Sequence, residues 1–344
     1  MQLLQPDEQC KLYPLTRYMG SKRKLIDYIW DVSKDLEFDS VIDLFSGSGV
    51  VSYLYKAHGK RVISCDFMYM NALKAKVYIK NNTVKLSEEK AYNLIKDNGN
   101  DGFVSNTFDD IFYTKEDNHQ IDILRHNISN IQDEFEKAIA LEALVRACTK
   151  KRPRGIFTYT GIRYDDGRND LKISINDQFI KAVNDINSAI FSNGKKNRAV
   201  QGDSLKLRAD AGLIYIDPPY YNPNGDNDYV RRYHFLEGLV RNWDGVDIDM
   251  STKTHKFPSY KSQFSTKEGT YKAFDSIFKK YQGKNVIVSY SSNSLPNMEE
   301  MLELMRKYSK FVEVVPIDYR YNFANQEINK SNNVKEYLFV GRNN

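Results

Sequence analysis

The sequence predicts an α/β protein built on a mainly parallel sheet and interrupted by a long, mainly helical insertion. Three observations carry that prediction. The run 40–45 looks buried, breaks into Ser46-Gly47-Ser48-Gly49 and is followed by a helical pattern over 50–57; strand, glycine turn and helix open a parallel sheet. A second strand, 61–65, ends on Asp66 and leads into a helical stretch, 71–80. A third, 212–216, is almost wholly apolar and stops one residue before two consecutive prolines, as a strand buried on both faces does on emerging into a loop.

The remaining elements follow in order. The polar start leads to a basic segment, 17–24, and a helix beginning near Leu25. After Asn81 the strand–helix alternation breaks: 86–95 and 128–149 read as helices, whereas 101–120 and 156–175 read as loop or short strand. Residues 83–196 are therefore expected to form a separate inserted domain, flanked by a catalytic domain made of 1–82 and 197–344. The alternation resumes with strand 199–201 and, after 212–216, a helix over 271–281 closed by Gly283. Tyr271, Phe274, Phe278 and Tyr281 share one face of it. Strand 285–290, helix 297–308 and strands 311–318 and 335–340 complete the chain, the last two suited to an antiparallel pair at the sheet's edge.

With 344 residues, a formal charge of +5 and 41% hydrophobic content, the chain suits one large or two unequal globular domains. No apolar run approaches the roughly 18 residues of a membrane span and no signal-peptide core opens the chain, so a cytoplasmic protein is expected. Cys10, Cys65 and Cys148 are far apart and odd in number; neither a disulfide framework nor a metal site is indicated. The positive excess points only weakly to nucleic acid.

The strongest chemical signal is Asp217-Pro218-Pro219-Tyr220 after the buried-looking strand; average residue usage puts its chance occurrence on the order of one in a thousand. Two prolines hold a rigid loop at the carboxyl end of a strand, where α/β sheets bind ligands. There the Asp217 carboxylate and the Pro218 carbonyl can accept the two N–H bonds of an aromatic amine and localise its lone pair, while Tyr220 offers a face for stacking. As a bare turn with an ordinary aromatic the motif would carry no chemistry. The loop Asp43-Leu44-Phe45-Ser46-Gly47-Ser48-Gly49 lets a nucleoside-type cofactor approach the backbone, and Asp66 can bind both ribose hydroxyls; a tight turn and a strand-end aspartate would look alike, and a dinucleotide would fit as well. Arg17-Tyr18-Met19-Gly20-Ser21-Lys22-Arg23-Lys24 can hold a carboxylate, a group that S-adenosylmethionine carries and NAD does not.

With these residues in view, the chain resembles the Dam-like N6-adenine-specific DNA methyltransferases of the α motif order. The resemblance rests on residues 17–22, the 43–49 loop, Gly202-Asp203-Ser204, residues 217–220 and the strand 285–290; it covers both flanks but not the insertion. Tyr18 stands where relatives often carry tryptophan, and Ser21 where a second glycine is common. The resemblance implies a Rossmann-like methyltransferase sheet with an inserted, mainly helical target-recognition domain, S-adenosyl-L-methionine as cofactor and double-stranded DNA as partner. By it, Tyr18, Met19, Lys22, Asp43, Phe45, Ser46, Gly47, Asp66, Phe67, Asp203, Ser204 and Asp217 are the cofactor-site residues. Asp217, Pro218, Pro219 and Tyr220 form the catalytic loop, with Tyr220 stacking on a flipped adenine. It leaves open a cognate restriction endonuclease acting on the same site.

The insertion holds Arg146, Lys150, Lys151, Arg152 and Arg154 with no acid between them, a run that can line phosphates; Arg163 and Arg168, near Tyr159 and Tyr164, can read base edges or stack. A solvated polar loop would look the same. The stretch 253–272 is a second basic and aromatic candidate, and 222–228 a loop able to close over the base. Competing readings are cytosine-N4 or RNA methylation, a NAD-dependent oxidoreductase, which leaves residues 217–220 without a role, and a non-enzymatic DNA-binding subunit.

Overall fold

The computed structural model describes residues 4–15, 17–161, 165, 167–223, 225, 227–317 and 334–343. Seven strands form one mixed sheet: β1 (Ser40–Asp43), β2 (Arg61–Asp66), β3 (Arg198–Gln201), β4 (Leu213–Ile216), β5 (Asn285–Ser291), β6 (Phe311–Ile317) and β7 (Glu336–Arg342), in the spatial order β3-β2-β1-β4-β5-β7-β6. The first five run parallel, with Val41 opposite both Val62 and Leu213 and Leu213 opposite Asn285. β7 enters antiparallel between β5 and β6, the pair expected at that edge. Strand order reverses between β1 and β4, so the carboxyl ends of β1, β2 and β4 face one crevice.

Among the described residues there are twelve α-helices: α1 (Pro6–Leu12), α2 (Ile26–Ser33), α3 (Val50–Ala57), α4 (Tyr69–Ala75), α5 (Glu88–Leu94), α6 (Phe103–Thr107), α7 (Lys115–Ser129), α8 (Glu134–Lys150), α9 (Ile175–Ala189), α10 (Tyr229–Val240), α11 (Lys267–Lys280) and α12 (Met298–Arg306). Alternate strand residues bury on opposite faces. Val41, Val62, Leu213 and Ile287 join the core under α2, α3 and α10, whereas Ile42, Ile63, Ile214 and Val288 pack against Phe274 and Phe278 of α11 and Met301 and Met305 of α12. The helix expected over 271–281 begins earlier, because the Thr266 hydroxyl accepts the Gly269 N–H and caps it.

Helices α5–α9 share the first of these cores, with Leu124, Ile139, Leu144, Phe179 and Ile186 buried in it, so 83–196 is packed continuously against the sheet's helical layer. The loop or strand expected over 101–120 is instead α6 and the start of α7. Asp122, fully buried, accepts the N–H groups of Val104 and Ser105 at 2.8 and 2.9 Å and caps α6 from the next helix. Arg125 then neutralises Asp122 at 3.1 Å and Asp101 at 2.9 Å, which is how a polar-looking segment is buried without orphaned charge. After α4 the chain closes a π-turn, Lys76–Lys80, whose end is held by Lys56: its buried ammonium donates to the carbonyls of Tyr78 (3.0 Å) and Asn81 (2.8 Å).

Candidate active site

The site grows from three strand ends. β1 ends at Asp43, fully buried; Ser52 donates to its Oδ2 at 2.7 Å, while Oδ1 has no partner. Burial, reinforced by the charges of Asp217 and Asp66, pushes its carboxyl up to about 7. The chain then turns through Gly47 and Gly49 at φ +48° and +78°, conformations that cost a Cβ-bearing residue most. A Cβ on Gly49 would lie 2.7 Å from the Tyr13 hydroxyl and one on Gly47 3.1 Å from the Tyr18 ring. β2 ends at Asp66, whose oxygens accept the N–H groups of Gly47 (2.8 Å) and Met68 (2.9 Å). The acid is thereby locked to the glycine loop, and burial raises its carboxyl.

β4 delivers residues 217–220. Asp217 Oδ1 meets the Lys22 ammonium at 2.8 Å and accepts the Tyr220 hydroxyl at 3.0 Å. Burial pushes the Asp217 carboxyl up to about 6, Lys22 opposing this and Glu336 adding to it. Pro218 is buried and Pro219 half-buried. Asn227 ties the loop down by donating to the Tyr220 and Phe264 carbonyls at 3.3 and 2.9 Å. The Lys22 ammonium stands 4.9 Å from the Tyr220 ring centre, and Tyr290 packs on that ring edge-on at 4.8 Å.

The amino-terminal motif lies over this crevice. Tyr18 is stacked between Tyr229 and Tyr233, centroids 5.6 and 5.2 Å away, and its hydroxyl accepts from Asn71 at 2.9 Å. The Met19 N–H donates to the Tyr233 hydroxyl at 2.8 Å, and the Ser21 and Ser48 hydroxyls meet at 3.1 Å. Phe45 packs edge-on against Phe264, and Phe67 against Tyr260. The aromatics of the 253–272 stretch thus wall the crevice, with Phe257 and Phe264 buried. Asp203 is exposed and caps the turn 204–206 by accepting the Leu205 N–H; Ser204 beside it is buried.

Sequence reasoning missed Glu336. It opens β7 fully buried, receives the Tyr220 hydroxyl, accepts from Ser289 at 2.9 Å and lies 3.6 Å from Lys22. Its one sequence signal is an acid leading an otherwise apolar strand. Tyr229, Tyr233 and Glu237 of α10 were missed as well; Glu237 accepts the N–H groups of Tyr69 and Met70 and the Tyr260 hydroxyl.

The cations of the insertion do not form one patch. Arg152 is fully buried and donates to the carbonyls of Ile156 (3.1 Å), Phe112 (3.4 Å), Gly161 and Tyr159; it knits the loop together and offers solvent nothing. Lys151 is bound to the Ile173 carbonyl and to Asp117 at 3.2 Å, and Arg146 donates to the Leu15 carbonyl. Lys150 is half-buried, Arg154 exposed, and Arg168 half-buried with a bond to the Arg152 carbonyl. Arg163 and Tyr164 lie outside the described residues, as does part of the 222–228 loop.

The sheet order, the glycine loop and the proline-locked loop beyond β4 define the class, a methyltransferase fold. Residues 18–292 match the D12 class N6 adenine-specific DNA methyltransferase family, and the chain belongs to it. Its relatives include the type II methyltransferase M2.HphI of Haemophilus parahaemolyticus, 26% identical with 96% of this chain and 98% of the relative covered. The type II methyltransferase M.CviAII of Paramecium bursaria Chlorella virus 1 is 26% identical, with 94% and 97% covered. The modification methylase StsI of Streptococcus sanguinis is 25% identical over 94% of this chain, which spans 51% of that relative. No helix among the described residues is long and apolar enough to cross a membrane.

Methyltransferases of this family take their methyl group from S-adenosylmethionine. The residues present fit that molecule. Asp43 Oδ1 and Ser46 Oγ are buried at the glycine loop without partners, free to accept from an ammonium or a hydroxyl. The carboxylates of Asp43, Asp66 and Asp217 suit a sulfonium cation and a ribose, and Lys22 suits a carboxylate.

Proposed function

We propose that this chain is a site-specific methyltransferase acting on the exocyclic amine of an adenine flipped out of double-stranded DNA. The observation that carries the reading is the 217–220 loop, held at the switch point of the sheet with Asp217 in contact with Lys22 and Tyr220. Asp217 and the Pro218 carbonyl accept hydrogen bonds from the two N–H groups of the amine and leave the nitrogen lone pair directed outward, and the one proton displaced by the methyl group passes to solvent; Pro219 keeps the loop rigid, and Tyr220 stacks on the base. S-adenosylmethionine, when bound, supplies an electrophilic methyl group. Lys22 and Tyr18, with Met19, hold its methionine end, Asp43, Phe45, Ser46 and Gly47 line it, Asp66 takes the ribose, and Phe67, Asp203 and Ser204 flank the adenine.

Within this reading 83–196 is the target-recognition segment, and Lys150, Arg154 and Arg168, with Arg163, are its candidate DNA-facing cations. The relatives named as type II methyltransferases and modification methylases favour a restriction-modification role, with a cognate endonuclease sharing the site. The test is transfer from labelled S-adenosylmethionine to mixed-sequence duplex DNA, followed by nucleoside analysis and mapping. N6-methyladenine confined to one motif supports the proposal; methylcytosine moves it to the sister chemistry, and the absence of any product refutes it.

A further inference from the structure

Behind the glycine loop lies a second cavity of about 740 Å³, within the roughly 300–1,000 Å³ of small-molecule sites. It adjoins the crevice, sharing Tyr233 with it, and of the candidate cofactor residues only Tyr18 lines it. Tyr13 and Tyr18 stand between the two spaces, one donating to the Ser48 carbonyl at 2.5 Å and the other packed on Gly47.

The cavity's floor is charged and buried. Glu142 of α8 is fully buried, lines the space and has both carboxylate oxygens without a hydrogen-bond partner. One turn along, Arg146 is buried with its Nε unpartnered. Lys74, also buried, reaches Asn71 at 3.3 Å. Native interiors seldom leave such groups unsatisfied, because a buried polar group without a partner is costly and a charged one more so. The walls are the flat rings of Tyr13 and Tyr233 with the apolar side chains of Val145 and Leu236, and the open rim carries Lys11, Lys150 and Lys181. Two rim acids are already engaged, Asp170 with Arg17 at 3.3 Å and Asp185 with Arg146 at 4.0 Å.

An occupant must therefore bring two adjacent N–H donors to Glu142, an acceptor to the Lys74 and Arg146 side, a flat apolar body and an anionic group for the rim. We propose that this cavity binds a guanine nucleotide, with Glu142 accepting the ring N–H and the exocyclic amine, Arg146 and Lys74 donating to the carbonyl edge, and the rim lysines holding phosphate. Adenine lacks the ring N–H, and its amine would face cations. The source is either a free nucleotide or a guanine of an unpaired strand.

The experiment is calorimetric titration of the full chain with GMP, AMP and guanosine, with and without S-adenosylhomocysteine. GMP is expected to bind at least about tenfold more tightly than AMP, because a polar site left half-paired rejects the wrong base, and to do so with S-adenosylhomocysteine present. Glu142→Gln turns one acceptor into a donor and is expected to abolish the preference. Should that variant not fold, Lys181→Glu on the exposed rim is expected to weaken GMP while leaving guanosine unchanged. A short oligothymidylate with and without one guanine identifies the source: guanine-dependent binding there, with none by free nucleotides, assigns the site to a nucleic acid strand. No guanine preference in either arm or, where GMP binds, its displacement by S-adenosylhomocysteine or its unchanged binding by Lys181→Glu would overturn the proposal.

Discussion

Replacing Glu336 by glutamine tests the electrostatics of the acceptor loop. Asp217 and Glu336 contact the same ammonium, Lys22, at 2.8 and 3.6 Å, so their oxygens lie within about 6 Å, where two unit charges repel by roughly 3 kcal/mol at an effective dielectric constant near 20. That corresponds to about 2 pKa units before solvent screening, since a unit is worth about 1.4 kcal/mol. Burial first and Glu336 second raise the Asp217 carboxyl to about 6, against Lys22. On the proposed mechanism transfer needs the ionised Asp217 carboxylate as acceptor, so kcat is expected to fall as pH drops through 6. In Glu336→Gln the midpoint of that acid limb is expected to move down by about half a unit to two units. The assay is single-turnover methylation across pH 4.5–8 on a duplex carrying the site (roughly the span that brackets the shifted limb), with melting curves checking that the variant folds. An acid limb that stays in place or moves upward in a folded Glu336→Gln would refute Asp217 as the titrating acceptor. Stability carries the opposite sign. A folded-state value raised above the ordinary 3.8 makes protonation favour the fold, so this contribution is fully present below about 4 and is lost as pH rises through about 6.

Asp217→Ala is expected to abolish transfer while filter binding retains much of the DNA affinity, because phosphate contacts elsewhere supply most of it; retained turnover would remove Asp217 from catalysis. Tyr220→Ala is expected to lower the fluorescence change of 2-aminopurine at the target position, the signature of a base held out of the stack, more than it lowers duplex affinity. Arg152→Ala removes a fully buried guanidinium and orphans the backbone carbonyls it binds and is expected to destabilise the fold by about 3–5 kcal/mol in urea unfolding; a loss of DNA affinity without loss of stability would contradict the internal role. Gly49→Ala places a Cβ 2.7 Å from the Tyr13 hydroxyl at φ +78°, so cofactor affinity measured by calorimetry is expected to fall with it.

What could be read from the sequence was chemistry made by neighbours in the chain. Residues 43–49 and 217–220 announce themselves because glycine and proline dictate backbone shape locally, and Asp66 because it ends a strand beside the glycine loop. The paired strands at the sheet's edge and the shared face of Phe274 and Phe278 follow from periodicity alone. Long-range pairing left no such mark. Asp122 caps α6 from another helix, so a segment with helix-poor composition is helical. Five cations between Arg146 and Arg154 look alike in composition, yet Arg152 is interior because four backbone carbonyls converge on it. Glu336 is the sharpest case. Sequence distance hides it from Lys22 and Tyr220, and only the antiparallel entry of β7 beside β5 brings it under the loop at Ser289. The same insertion that completes the sheet therefore also sets the charge around Asp217, so the acceptor's acidity is a property of the sheet's topology as much as of the motif that carries it.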